Sequence, residues 1–138
     1  MISIELDAAY RRTIYEVLLD DSRLVLRIDE RNPQLLALQR GRQVEDSTFL
    51  SAWNPRSVVR TLEQNHEAHQ RLLQCLSELE LASWPGWGRD PDGIWPAEQS
   101  LLVMGLDLPG ARALGAAFSQ NAVVHSGPDA VPRLVWVD

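Results

Sequence analysis

Between residues 58 and 79 the chain repeats every three to four positions. Val58, Leu62, Asn65, His69, Leu72, Leu76 and Leu79 fall on one helical stripe. Asn54 suits an N-cap and Pro55 a first helical residue, so the pattern predicts one long helix over about 55–81, with Ser57 as a competing cap. A different period marks the strands. Residues 13–19 are rich in β-formers, Asp20-Asp21-Ser22 has turn chemistry and residues 23–28 alternate, which together predict a hairpin. Asn32-Pro33 opens a short helix carrying Leu35, Leu36 and Leu38, with Gly41 as its stop.

Further strands are expected at 48–53, 100–105, 121–125 and 133–137, and a helix at 108–119 capped by Asp107. Residues 83–96 hold three Trp among Gly and Pro and read as an ordered loop. Helices between the central strands predict crossover units and a partly parallel sheet. The expected fold is therefore α/β (α+β): one globular domain over 1–138, a mixed sheet, an N-terminal hairpin and the long helix.

Composition narrows the function classes. The chain has 138 residues and a formal net charge of −6, with no basic stripe, which argues against nucleic acid as a partner. No apolar run approaches the ~20 residues of a membrane span and no signal peptide is visible, so no membrane role is expected. Cys75 is the single cysteine, which excludes an internal disulfide and points to a reducing cytoplasm. All 13 basic residues are Arg, so lysine Schiff-base chemistry is excluded.

Familiar catalytic motifs fail on spacing. His66-Glu67-Ala68-His69 puts its histidines three apart where the metalloprotease helix needs four, and no third ligand follows; neither a metal nor a cofactor is expected. Gly105 to Arg112 lacks the Lys and Ser/Thr of a phosphate loop, and Ser100 lacks a nucleophile elbow.

Five segments stand out together: Tyr10-Arg-Arg-Thr-Ile-Tyr15, Phe49-Leu-Ser-Ala-Trp-Asn-Pro-Arg-Ser57, Asn65, Trp95-Pro-Ala-Glu-Gln-Ser-Leu-Leu-Val103 and Phe118-Ser-Gln-Asn-Ala-Val-Val124. In this combination the chain resembles the bacterial family of Domain of Unknown Function 3293 over nearly its whole length. Ser51 stands where that pattern leads one to expect Thr, and Ser119 where it leads one to expect Gly. The resemblance singles out residues and implies no activity.

Polar groups set into apolar patterns need partners, which makes them candidates for a site. Asn54 at a strand's carboxyl end is either a helix cap or a ligand group, and Arg56 beside it would reinforce an anion site at a helix N-terminus. Asn65 lies on the core stripe, within reach of His69. Glu98 near Trp95 is a conceivable general base, or a partner of Arg11 or Arg12. Gln120 sits between a helix and a strand, where an amide either closes the helix or bonds a ligand.

The expected function is a small polar-ligand pocket, possible to use enzymatically, lined by Asn54, Arg56, Asn65, Trp95, Glu98 and Gln120. The alternative is a non-catalytic protein–protein interaction module built on loop 83–96, which requires Trp84 and Trp87 to be exposed. One obstacle stands: in a parallel sheet Asn54 would lie at the opposite edge from Ser100 and Asn121. A shared pocket requires antiparallel strands or a loop folded back. Reaction type and oligomeric state leave no mark on the sequence.

Overall fold

The computed structural model of the protein describes residues 3–137. It opens on an unexpected helix, α1 (Ile4–Arg12). Ser3 caps it by accepting the Leu6 N–H at 3.0 Å, with Glu5 and Asp7 in the first turn and Arg11 and Arg12 in the last, where each sign suits the helix dipole. No residue of α1 is fully buried, and its inward apolar side is the half-buried Leu6, Ala9 and Tyr10, too short a stripe for a periodicity argument to find.

Strands β1 (Ile14–Leu18) and β2 (Arg23–Leu26) form the expected hairpin. Helix α2 (Pro33–Gly41) follows, its cap Asn32 accepting the Leu35 N–H at 3.0 Å, and then strand β3 (Ser47–Ser51).

The helix expected over 55–81 is shorter. Pro55–Ser57 make a single 3-10 turn, and the α-helix proper is α3 (Leu62–Glu78). Arg56 and Ser57 take left-handed φ values of 55° and 61°, which an α-helix cannot continue through. Thr61 and Gln64 then form a reciprocal capping box that starts α3 afresh. Val58 and Leu62, expected in the core, are consequently 61% and 64% exposed.

Residues 83–89, expected as loop, form strand β4 (Ser83–Arg89), with Pro85 one residue beyond the last β1 pair at Gly86. Strand β5 (Glu98–Met104), helix α4 (Leu108–Ala117) capped by Asp107, and strands β6 (Ala122–Ser126) and β7 (Arg133–Trp136) complete the chain.

All seven strands join one sheet in the order β2-β1-β4-β5-β3-β6-β7, and every adjacent pair is antiparallel. The α+β class holds, but the expected parallel pairing does not occur. The reason lies in the crossovers. The β3-α3-β4 unit leaves a gap filled by β5, and β5-α4-β6 leaves one filled by β3. These are split β-α-β units: each helix links two strands of the same direction that an antiparallel strand separates.

Each face of the sheet carries its own core. Leu50, Leu101, Val103 and Val123 meet Leu72 and Leu76 of α3 and Ala111 and Leu114 of α4. Phe49, Leu102, Met104 and Val124 face the other way, with Tyr15, Val17, Leu24, Leu26 and Leu35 of α2. On this second side the sheet curls. The main chain after β2 meets that before β7, where Asp29 N–H donates to the Pro132 carbonyl at 2.7 Å and Asn32 N–H to that of Ala130 at 3.0 Å.

Candidate functional site

Antiparallel pairing removes the obstacle to a shared site. Ser51, at the end of β3, lies directly opposite Ser100 near the start of β5, and Gly88 lies opposite Glu98. β6 begins at Ala122, two residues before the Val124 that pairs with Phe49, so it starts on the same side. The loops after β3, before β5 and before β6 therefore converge at one end of the sheet.

A cavity of about 470 Å³ opens there, on the curled face, between the sheet and α1. Ser51, Ser100, Gly88 and Ala122 give it a floor of small groups, while Leu6, Ala9 and Tyr10 reach it from α1 and Thr13 from that helix's C-cap. Gly86 keeps the sheet flush beside this floor. A Cβ on Gly86 would stand 2.3 Å from the Glu16 carbonyl oxygen and 3.1 Å from the Phe49 ring, so no side chain fits.

Of the six candidate residues, Asn54, Trp95, Glu98 and Gln120 line the cavity. Asn65 is 3% exposed and stands behind it as a brace. Its Oδ1 accepts the Asn54 main-chain N–H at 2.8 Å, and its Nδ2 donates to Asn54 Oδ1 at 2.9 Å. The Arg60 N–H also donates to Asn54 Oδ1, at 3.0 Å. Asn54 is therefore not the cap of the long helix. It adopts a left-handed φ of 42°, makes no side-chain capping bond, and turns its own Nδ2 to Glu98 Oε1 at 3.5 Å. Asn65 is spent on this reciprocal pair rather than on His69, which is buried with Nδ1 unpartnered and its pKa lowered by burial and by His66.

Arg56 lies outside the lining. Its N–H donates to the Ser119 carbonyl at 2.8 Å and its Nη1 to that of Gln120 at 3.3 Å. Since α3 starts at Leu62 with its first turn capped from Thr61, the expected anion site at Asn54 and Arg56 has no free helix N-terminus behind it. Ser119 has a φ of 55°, which gives the reason glycine would suit that position. Gln120 Nε2 donates to the carbonyls of Trp53 and Phe118, both at 3.3 Å, pinning the β3 exit to the α4 exit.

Three non-glycine residues with left-handed φ within four positions, Asn54, Arg56 and Ser57, mark the most strained stretch of backbone in the described chain. The surrounding bonds hold it. Ser57 N–H donates to the Asn54 carbonyl at 2.9 Å, and Asn121 Nδ2 to Ser57 Oγ at 2.9 Å.

Burial raises the pKa of Glu98 above the usual carboxylate range, opposed by the Asn54 hydrogen bond. Neither Arg11 nor Arg12 pairs with it. Arg11 bonds Asp7 at 2.9 Å, and Arg12 lies 5.6 Å from the centre of the Trp95 ring. Burial likewise raises the phenol of Tyr10, which meets Ser57 and Asn121.

Tyr10, Tyr15, Trp53, Ser51, Ser57 and Ser100 line the cavity although none is among the six residues the sequence nominated, Ser100 having been set aside for want of a nucleophile elbow. All six were already within the family-like segments, but their convergence depends on strand register. Trp84 and Trp87, required exposed by an interaction module, are half-buried in β4, and Trp84 meets Arg42 at 4.7 Å. Among the described residues no three His, Cys, Asp or Glu are placed to hold a metal, and no helix is long and apolar enough to cross a membrane.

Residues 50–123, more than half of the chain, match the model of the family described as "Protein of unknown function (DUF3293)". Neither a curated protein nor a solved structure matches the chain.

Proposed function

The chain belongs to the DUF3293 family, and we propose that this member binds a small polar molecule in the cavity beneath α1. One observation carries the reading: Asn54, Glu98, Gln120 and Trp95 come from three separate connections and border the same 470 Å³ space. That volume lies within the range of small-molecule sites, about 300–1,000 Å³. The strained Asn54–Ser57 backbone is further support, because strain of this kind persists where a site needs a fixed shape. Burial raises the pKa of Glu98 from its ordinary value, the direction that suits a carboxyl acting as a general acid or base in this hollow. The lone thiol of Cys75 fits a reducing compartment, and we assign the role to the cytoplasm of a bacterium.

A thermal-shift screen over small metabolites of positive, neutral and negative charge tests this. Ligand at 100 times its Kd adds about 2.7 kcal/mol of stability. Asn54→Ala should abolish any shift found, and a panel without a single saturable shift overturns the reading.

A further inference from the structure

Building on that binding site, we infer that the cavity selects a ligand carrying a protonated amine on an apolar or aromatic body, with the Glu98 carboxylate as its counter-ion. The charges on the walls point this way. Among the described lining residues the charged ones are Glu5 and Glu98, and none is Arg, Lys or His. Among the described lining residues a phosphate or carboxylate would meet two acids and no cation, the nearby Arg12 being stacked on the Trp95 ring. The partner of the half-buried Glu98 is a neutral amide at 3.5 Å, a long bond, and no cation among the described residues forms an ion pair with its carboxylate.

The hydrogen-bonding balance agrees. Ser51 Oγ donates to the Gln99 carbonyl at 2.8 Å and Ser100 Oγ to that of Glu98 at 3.0 Å. Gln120 commits its amide nitrogen to two carbonyls, which turns Oε1 away from them, and among the described residues Oε1 accepts no bond. Ser51, Ser100 and Gln120 thus spend their donors within the protein while Gln120 Oε1 stays open, which suits a guest that brings N–H groups. Tyr10, Tyr15, Trp53 and Trp95 supply ring faces, and π-faces attract cations. Trp95 already does so with Arg12.

Benzylamine and phenethylamine, compared with benzyl alcohol and phenylacetate, separate the charge classes on one aromatic body. Titration calorimetry at neutral pH should give saturable binding of the amines at least about tenfold tighter than the alcohol, the scale of a charge-assisted hydrogen bond, and none of phenylacetate. Glu98→Gln, which keeps the side chain's shape, should remove that preference. Should this variant fail to fold, salt decides with the native protein: amine affinity must fall with ionic strength while that of the alcohol does not. Phenylacetate or benzyl alcohol binding as tightly as the amines overturns the inference, as does an amine preference that survives Glu98→Gln. Silence from all four probes also overturns it, while the ligand site itself falls only if the wider metabolite screen is silent too.

Discussion

Helices α1 and α2 cover the same face of the same sheet, yet one closes a core and the other roofs a hollow. Leu35 of α2 is fully buried among Leu24, Leu26 and Phe49. Even the polar Gln39 is satisfied there: it donates to the Glu45 and Gly127 carbonyls and accepts from Ser47 at 2.7 Å. Helix α1 has no fully buried residue, and its Leu6, Ala9 and Tyr10 are only half-buried. It is held by latches, with the Tyr15 hydroxyl donating to the Tyr10 carbonyl at 2.6 Å, Trp136 Nε1 to Asp7 at 3.3 Å, and the Tyr10 and Trp136 rings meeting edge to face. Packing density, rather than the presence of a helix, separates structural cover from a binding site. A helix held by a few polar contacts can leave space beneath it; one held by interlocked leucines cannot.

The contrast is most open to attack through paired truncations. Leu35→Ala should cost about 2–5 kcal/mol in urea unfolding, whereas Leu6→Ala, on the helix above the cavity, should cost about 1 kcal/mol or less. Equal losses would mean that α1 is as much a part of the core as α2. Next in size, Asn65→Ala leaves the half-buried Asn54 N–H without its acceptor and should destabilise by about 1–3 kcal/mol. Because the same change frees the Asn54 side chain, it should also weaken ligand binding. Stability lost with affinity intact would reduce Asn65 to a structural brace.

The smallest effect is a pH dependence at Glu98. Its folded pKa is raised above the ordinary 4.5, so the unfolded chain releases this proton first as pH rises. The stability Glu98 contributes is complete below pH 4.5 and is lost as pH climbs through the folded value. Glu98→Gln should therefore melt higher than the native protein at neutral pH, with the gap closing below pH 4.5. The neighbours Asn54, Tyr10 and Tyr15 are neutral across this interval, so they leave the sign unchanged. A gap constant from pH 4 to 8 would show that burial does not perturb the carboxylate.

Much of this architecture is legible in the residues themselves. β-rich and apolar runs, one alternation, one helical stripe and cap residues located six of the seven described strands and three of the four described α-helices, and Asn32 and Asp107 cap the helices they were expected to cap. Those signals are local: a cap or an alternation depends on a few neighbouring residues. The failures are also physical. α1 has no buried stripe, β4 contains the Pro and Gly that usually break strands, and the α3 start was set by backbone strain at Arg56 and Ser57 that no periodicity records. Asn54, Trp95, Glu98 and Gln120, singled out in the sequence, all border one cavity in the fold.

What the sequence could not decide is which of these residues meet. Strand order and register did that, setting Ser51 against Ser100 and the β3, β5 and β6 loops at one end. These pairings join residues nearly fifty apart in the chain, and antiparallel rather than parallel pairing depends on how two crossovers interleave. Local pattern fixes an element's kind and its inward face, because both depend on near neighbours. The cavity is a property of distant pairs, and only the assembled sheet determines it.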